Sequence, residues 1–158
     1  MLKDYAWIFF ISMIPLIELR GAIPVSQALQ LPVVSSYIIC IVGNILPVPF
    51  VYLFARRFLE WGKDKKYTKS VCVFFLEKGA KAGQKLEQKA KNGLFIALLL
   101  FVGIPFPGTG AWSGTLAASL LGINFKATVV AVMLGVLLAG CIMMAGSYGL
   151  LSLSGLKQ

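Results

Sequence analysis

Charged side chains are missing from three long runs of the chain, Gly21 to Ala55, Gly93 to Phe125 and Ala127 to Leu156, and apolar residues dominate each run. Every run is longer than the roughly 20 residues that cross a bilayer as a helix. The pattern divides the chain into an apolar half (residues 5–55), a charged linker (56–92) and a second apolar half (93–150). Proline and glycine then subdivide each half. In the first, Tyr5 to Ile14 and Gly21 to Leu31 flank the stretch IPLIELRGAIP; in the second, Gly93 to Ile104 and Ala111 to Gly122 flank IPFPGTGAWSG. Helices of these lengths reach about 18 Å, roughly half of the ~30 Å hydrocarbon core. Ser36 to Ala55 and Lys126 to Leu150 are each long enough to cross it.

The two halves share a pattern. Gly21-Ala22 followed by Ser26 and Ala28 matches Gly110-Ala111 followed by Thr115 and Ala117, in the form G-A-x-x-x-[ST]-x-A, and Ile14-Pro15 matches Ile104-Pro105. We read this as an internal duplication with one single-residue slip. Two all-α membrane topologies satisfy it. In one, each pair of half-helices is a re-entrant hairpin, each half crosses once, and the halves form an inverted repeat. In the other, four helices cross, the first and third of them broken in the middle.

Composition supports the membrane class: 58% of the 158 residues are hydrophobic and 13% charged. The formal net charge of +9 would suit nucleic acid, but the basic residues gather in the linker without a nucleic-acid motif, so no such partner is expected. Linker residues from Arg56 to Lys91 carry a strong excess of Lys and Arg, which makes this segment cytoplasmic in a multi-pass cell-membrane protein. Val71, Phe74, Phe75 and Leu76 before a lysine-rich stretch suggest an amphipathic helix on the inner leaflet. The N-terminal apolar stretch runs into Glu18 and Arg20 rather than a cleavage site, so it reads as retained. Cys40, Cys72 and Cys141 lie far apart and the chain has no histidine, which argues against a zinc site, a disulfide framework and histidine catalysis. No cofactor, metal or enzyme activity is expected.

Away from the linker and the extreme termini, the charges are Glu18, Arg20 and Lys126. Lys126 begins a spanning segment and can snorkel. Glu18 and Arg20, between Pro15 and Pro24, fall near the bilayer centre, where an ionised group costs at least a few kcal/mol unless paired or hydrated. Residues two apart do not face each other on a helix, so they pair locally only if this segment is unwound; otherwise each reaches its own partner or a water-filled cavity. Glu18 is the candidate proton or cation carrier and Arg20 the candidate anion-recognising group. The second break, with Pro105, Pro107, Gly108, Thr109, Gly110, Trp112 and Ser113, contributes free backbone, two hydroxyls and an indole instead of charge. Helix N-termini at Ala22 and Ala111 would turn positive dipole ends to the centre and favour an anionic group there. Asn44 is the amide inside a spanning segment and is expected to bond across a helix interface. The glycines of the last segment suit close packing and fit a homodimer or higher homo-oligomer.

At PLIELRGAIP, at Gly43-Asn44-Ile45-Leu46-Pro47 and at PFPGTGAWSG the chain resembles the bacterial and archaeal family of small multidrug export proteins. More distantly, the paired breaks resemble the DedA superfamily, whose re-entrant hairpins in inverted repeats imply proton-dependent transport or lipid translocation. That resemblance implies acidic and basic roles for Glu18 and Arg20, whereas Pro107-Gly108-Thr109 departs from it by bringing neither. The functional expectation is a small secondary transporter, plausibly proton-coupled, moving an amphipathic or anionic molecule or a lipid headgroup. The alternative is a non-transporting assembly or lipid-organising protein acting through the basic linker.

Overall fold

In a computed structural model that describes residues 2–15, 17–65, 69–70, 72–74, 77, 93–106 and 108–153, the chain is helical, with no strand among those residues. Its helices are α1 (Leu2–Met13), α2 (Glu18–Ala28), α3 (Val33–Ile45), α4 (Val48–Gly62), α5 (Gly93–Gly103), α6 (Ala111–Leu121) and α7 (Phe125–Leu153). Pro107 and most of the expected amphipathic linker helix lie outside the described residues.

Local chemistry sets the boundaries. Pro15 follows the end of α1, as expected of a residue that cannot continue a helix. Gly122 adopts the left-handed conformation after α6, with φ 73°, and the Ile123 N–H closes back on the Ala118 carbonyl at 3.0 Å. Asn124 then caps α7, its side-chain oxygen accepting from Ala127 N–H at 2.8 Å. Leu46 and Pro47 keep right-handed helical angles, so α3 and α4 form one 30-residue apolar stretch, Val33–Gly62. It runs through Arg56 and Arg57, beyond the Ala55 end that the charge pattern suggested. Near its end Arg56 pairs with Glu60 at 3.2 Å and the Lys65 ammonium lies 5.1 Å from the centre of the Trp61 ring, an interfacial combination. The other such stretch lies in α7, over Phe125–Ser147. These two helices are long and apolar enough to cross a bilayer.

Close approach, rather than size, assembles the bundle, as expected where lipid removes the hydrophobic drive between helices. A Cβ at Gly43 of α3 would stand 2.7 Å from the Phe9 carbonyl and collide with the Ser12 hydroxyl on α1. A Cβ at Gly135 of α7 would stand 2.8 Å from the Leu99 carbonyl and 2.7 Å from Val102 on α5. Phe9 and Ser12 relate to Leu99 and Val102 by the same shift that relates Ile14-Pro15 to Ile104-Pro105. α5 runs beside α7 in the same direction, since Leu99 and Val102 meet Gly135 while Gly103 meets Leu138. α6 also packs on α7, and residues 122–124 join its end to the start of α7.

Tyrosines tie the two long stretches together. The Tyr37 hydroxyl donates to the Leu137 carbonyl at 3.0 Å and that of Tyr52 to the Ile123 carbonyl at 2.6 Å, so α3 and α4 run antiparallel to α7. The interior includes Ile8, Leu19, Ile23, Val102, Val132 and Val136. Outside, Trp7, Phe10, Val34, Ile38, Phe50 and Phe54 are exposed, an apolar exterior suited to lipid rather than water.

Candidate functional site

The two breaks meet, and each supplies what the other lacks. α2 begins at Glu18, three residues before the expected start at Gly21, so Glu18 and Arg20 occupy its first turn rather than an unwound loop. Two positions apart on a helix, they diverge. Each reaches across the chain to the backbone of the second break. Glu18 is 4% exposed, and its two carboxylate oxygens accept from Ala111 N–H at 3.2 Å and Trp112 N–H at 3.0 Å. These are the first donors of α6, groups with no partner inside the helix. The carboxylate therefore sits at the positive end of the α6 dipole.

Arg20 does the converse at the end of α5. Its guanidinium donates to the carbonyls of Phe106, Ile104 (3.2 Å) and Val102 (3.4 Å) and to the Thr109 hydroxyl at 2.9 Å. Those carbonyls belong to the last turn of α5 and the chain just beyond it, the negative end of the helix dipole, where a cation is favoured; those of Ile104 and Phe106 also accept from Phe106 N–H at 2.8 Å and Thr109 N–H at 3.1 Å. Thr109 extends the contact by donating to the same acceptors, Ile104 at 3.0 Å or Phe106 at 2.9 Å. In the other direction the Trp112 indole N–H donates to the Met13 carbonyl at 3.1 Å, capping α1 from the second break.

Glycine makes the contact possible. A Cβ on Gly110 would run into both oxygens of Glu18 and lie 2.6 Å from its carboxyl carbon. Gly108 turns the chain with φ 86°. Glu18 itself holds φ 52°, a left-handed conformation that costs a non-glycine residue of order 1–3 kcal/mol and persists where the surroundings fix it.

The structure thus brings together Glu18, Arg20, Thr109, Gly110 and Trp112, with the Ser113 hydroxyl bonded back to the Gly110 carbonyl at 3.5 Å. Pro15 and Pro105 flank the two turns, while Pro107 is outside the described residues. Pro24 does not end α2: it lies inside that helix, exposed, and removes the N–H that would have paired with the Arg20 carbonyl. Asn44 also departs from expectation. It is fully buried, yet neither its amide nitrogen nor its oxygen has a hydrogen-bond partner. Thr128 and Ser119, two buried hydroxyls that sequence reasoning passed over, are likewise unpartnered. The backbone acceptors at Met13, Val102, Ile104 and Phe106 carry no sequence signal. Among the described residues no group of three His, Cys, Asp or Glu side chains could hold a metal ion.

The family model described as "Putative small multi-drug export protein" matches residues 18–142, from Glu18 through the body of α7. The chain belongs to this family. As a member it is a membrane protein of a class named for the export of small molecules; the matched region takes in the first break from Glu18 onward and the whole of the second. No curated protein and no solved structure matches the chain.

Proposed function

We propose that this export-family chain is a proton-coupled secondary transporter of amphipathic small molecules, working as a homo-oligomer, with Glu18 as a latch between two re-entrant hairpins. The observation that carries the reading is the Glu18 carboxylate seated on the first N–H groups of α6. An ionised carboxylate accepts both bonds. Protonation removes the charge that the helix dipole favours and turns one oxygen into a donor and a weaker acceptor, so the hold on that N–H group loosens. The loosened N–H is then open to a polar acceptor on the substrate, and loss of the proton closes the contact again. Arg20, bound to the last carbonyls of α5, is the charged neighbour and holds the second break in place while Glu18 opens.

Helix directions favour hairpins over broken spanning helices. α5 runs with α7, whereas α6 ends at the turn into α7, so α5 and α6 enter and leave on one side. α1 lies on α3 by the contact equivalent to that of α5 on α7, which fits an inverted repeat with one crossing per half. Two crossings per chain make a lone transport unit small, which favours the homo-oligomer. An anionic substrate is less favoured than an amphipathic one, because the helix end suited to an anion is already filled by Glu18. The basic linker is placed on the cytoplasmic side by its charge.

The test is efflux of a fluorescent amphipath from proteoliposomes, with and without a pH gradient. Flux that rises with the gradient in the native protein and loses that dependence in Glu18→Gln is expected. Gradient dependence surviving in Glu18→Gln would sink the latch. A reporter fused at Gln158 is expected on the opposite side from the linker; on the same side, it would favour four spanning segments.

A further inference from the structure

We infer that the crevice between α2 and the C-terminal part of α7 binds a neutral amphipathic small molecule, an apolar body with one hydrogen-bonding group; this names a substrate class for the transport reading and rests on it. A cavity of about 460 Å3 opens there between Pro24, Gln27 and Ala28 on α2 and Met143, Gly146 and Ser147 on α7. That volume is in the range of roughly 300–1,000 Å3 typical of small-molecule sites. Among the described residues no charged side chain lines it, so an ion entering would lose its hydration without compensation from them.

The walls suit such a ligand. Met143 presents a flexible, polarisable thioether, the side chain best able to adapt to varied apolar shapes. Gln27 is 8% exposed, and its amide nitrogen finds only the Met144 sulfur at 3.5 Å, a weak acceptor. Its amide therefore has hydrogen-bonding capacity left for an occupant, with the Ser147 hydroxyl on the facing wall. An acyl chain offers Gln27 nothing, which sets a polar small molecule apart from a lipid tail.

The cavity is a property of these side chains rather than of the architecture. α6 packs on α4 much as α2 packs on α7, but there Tyr52 fills the contact, its hydroxyl on the Ile123 carbonyl and its ring edge-on to Phe125 at 5.4 Å. At Gly146 an added Cβ would meet nothing within 4 Å, so that glycine leaves space unused by the chain itself. The same helix carries the cavity at its end and Glu18 and Arg20 at its start. Pro24, on the cavity wall, interrupts the α2 ladder at the Arg20 carbonyl, so occupancy at one end and release at the other act on one helix.

The experiment titrates the full chain in lipid nanodiscs with N-phenyl-1-naphthylamine, a neutral fluorophore with one N–H, and with the cation ethidium, subtracting uptake by empty discs. Saturable binding of the amine and none of the cation is expected. Gly146→Leu should weaken amine binding at least tenfold by filling the cavity. Gln27→Leu should weaken the amine about threefold or more and leave pyrene, which has no hydrogen-bonding group, unchanged. If Gly146→Leu does not fold, as judged by gel filtration, Gln27→Leu decides. Uptake no greater than that of empty discs, equal binding of ethidium, or a Gln27→Leu effect equal for amine and pyrene would overturn the site. Saturable amine binding without gradient-driven flux would overturn the transport reading and leave the site standing; gradient-driven flux unchanged in Gly146→Leu would do the reverse.

Discussion

The two breaks share a geometry and divide a chemistry. IPLIELRGAIP supplies a carboxylate and a guanidinium; IPFPGTGAWSG supplies orphaned helix ends and a glycine that admits them. A carboxylate buried in this apolar body is tolerable because helix N–H groups receive it, and a helix end is tolerable because a side chain caps it. Neither break is satisfied alone, which explains why charge appears in only one of them. A second pair of charges would find the helix ends already taken.

The widest gap between the breaks should appear on removing Arg20. It caps several carbonyls and a hydroxyl at once, and hydrogen bonds to charged groups contribute about 1.5–3 kcal/mol each. With allowance for its partial exposure, Arg20→Ala should cost about 3 kcal/mol, read as a lower denaturation midpoint in micelles. Arg20→Lys, a point charge without the planar fork, should recover less than half of this. Full recovery by lysine would mean that charge alone, not the multiple contact, holds the second break.

Glu18→Ala comes next, at about 2 kcal/mol, because it leaves two buried N–H groups of α6 without an acceptor. Glu18→Gln should cost less than Glu18→Ala, since it keeps one acceptor oxygen, and the difference separates the hydrogen bonds from the charge. Gly110→Ala follows, at about 1–3 kcal/mol, the usual cost of inserting a group into filled space. Its effect acts through Glu18, so in a Glu18→Ala background it should nearly vanish. Additive costs in that double-mutant cycle would show that Gly110 is needed for its own backbone and not for the carboxylate.

Much of this was legible in the sequence. Missing charges located the two stretches long and apolar enough to cross a bilayer, and proline and glycine located both turns to within a few residues. The isolation of Glu18 and Arg20 in apolar sequence singled them out, and the structure brings both side chains to the second break. Apart from the Thr109 hydroxyl their partners were not legible, because they are backbone groups 82 to 94 residues away and any sequence supplies those. The start of α2 was misjudged for a related reason: Glu18 has no glycine-like residue to announce its left-handed φ, which is held by the α6 contact instead. Asn44 shows the opposite failure. A buried amide led to an expected interhelical bond, yet neither end of the Asn44 amide finds a partner among the described residues. Period alone does not reveal what lies opposite.

The smallest effect belongs to Trp112, the one side chain of the second break that reaches back to the first half. Its indole N–H caps the Met13 carbonyl at 3.1 Å, and Trp112→Phe keeps an aromatic ring while removing that donor. One neutral hydrogen bond contributes about 1 kcal/mol net. A shift of this size in the denaturation midpoint, with the pH dependence of flux retained, is the expected outcome. It would place Trp112 among the groups that finish a helix, apart from Glu18, whose backbone N–H contact to residue 112 would remain. Loss of the pH dependence in Trp112→Phe would instead join the two, and the division between a break that holds the switch and a break that receives it would no longer stand.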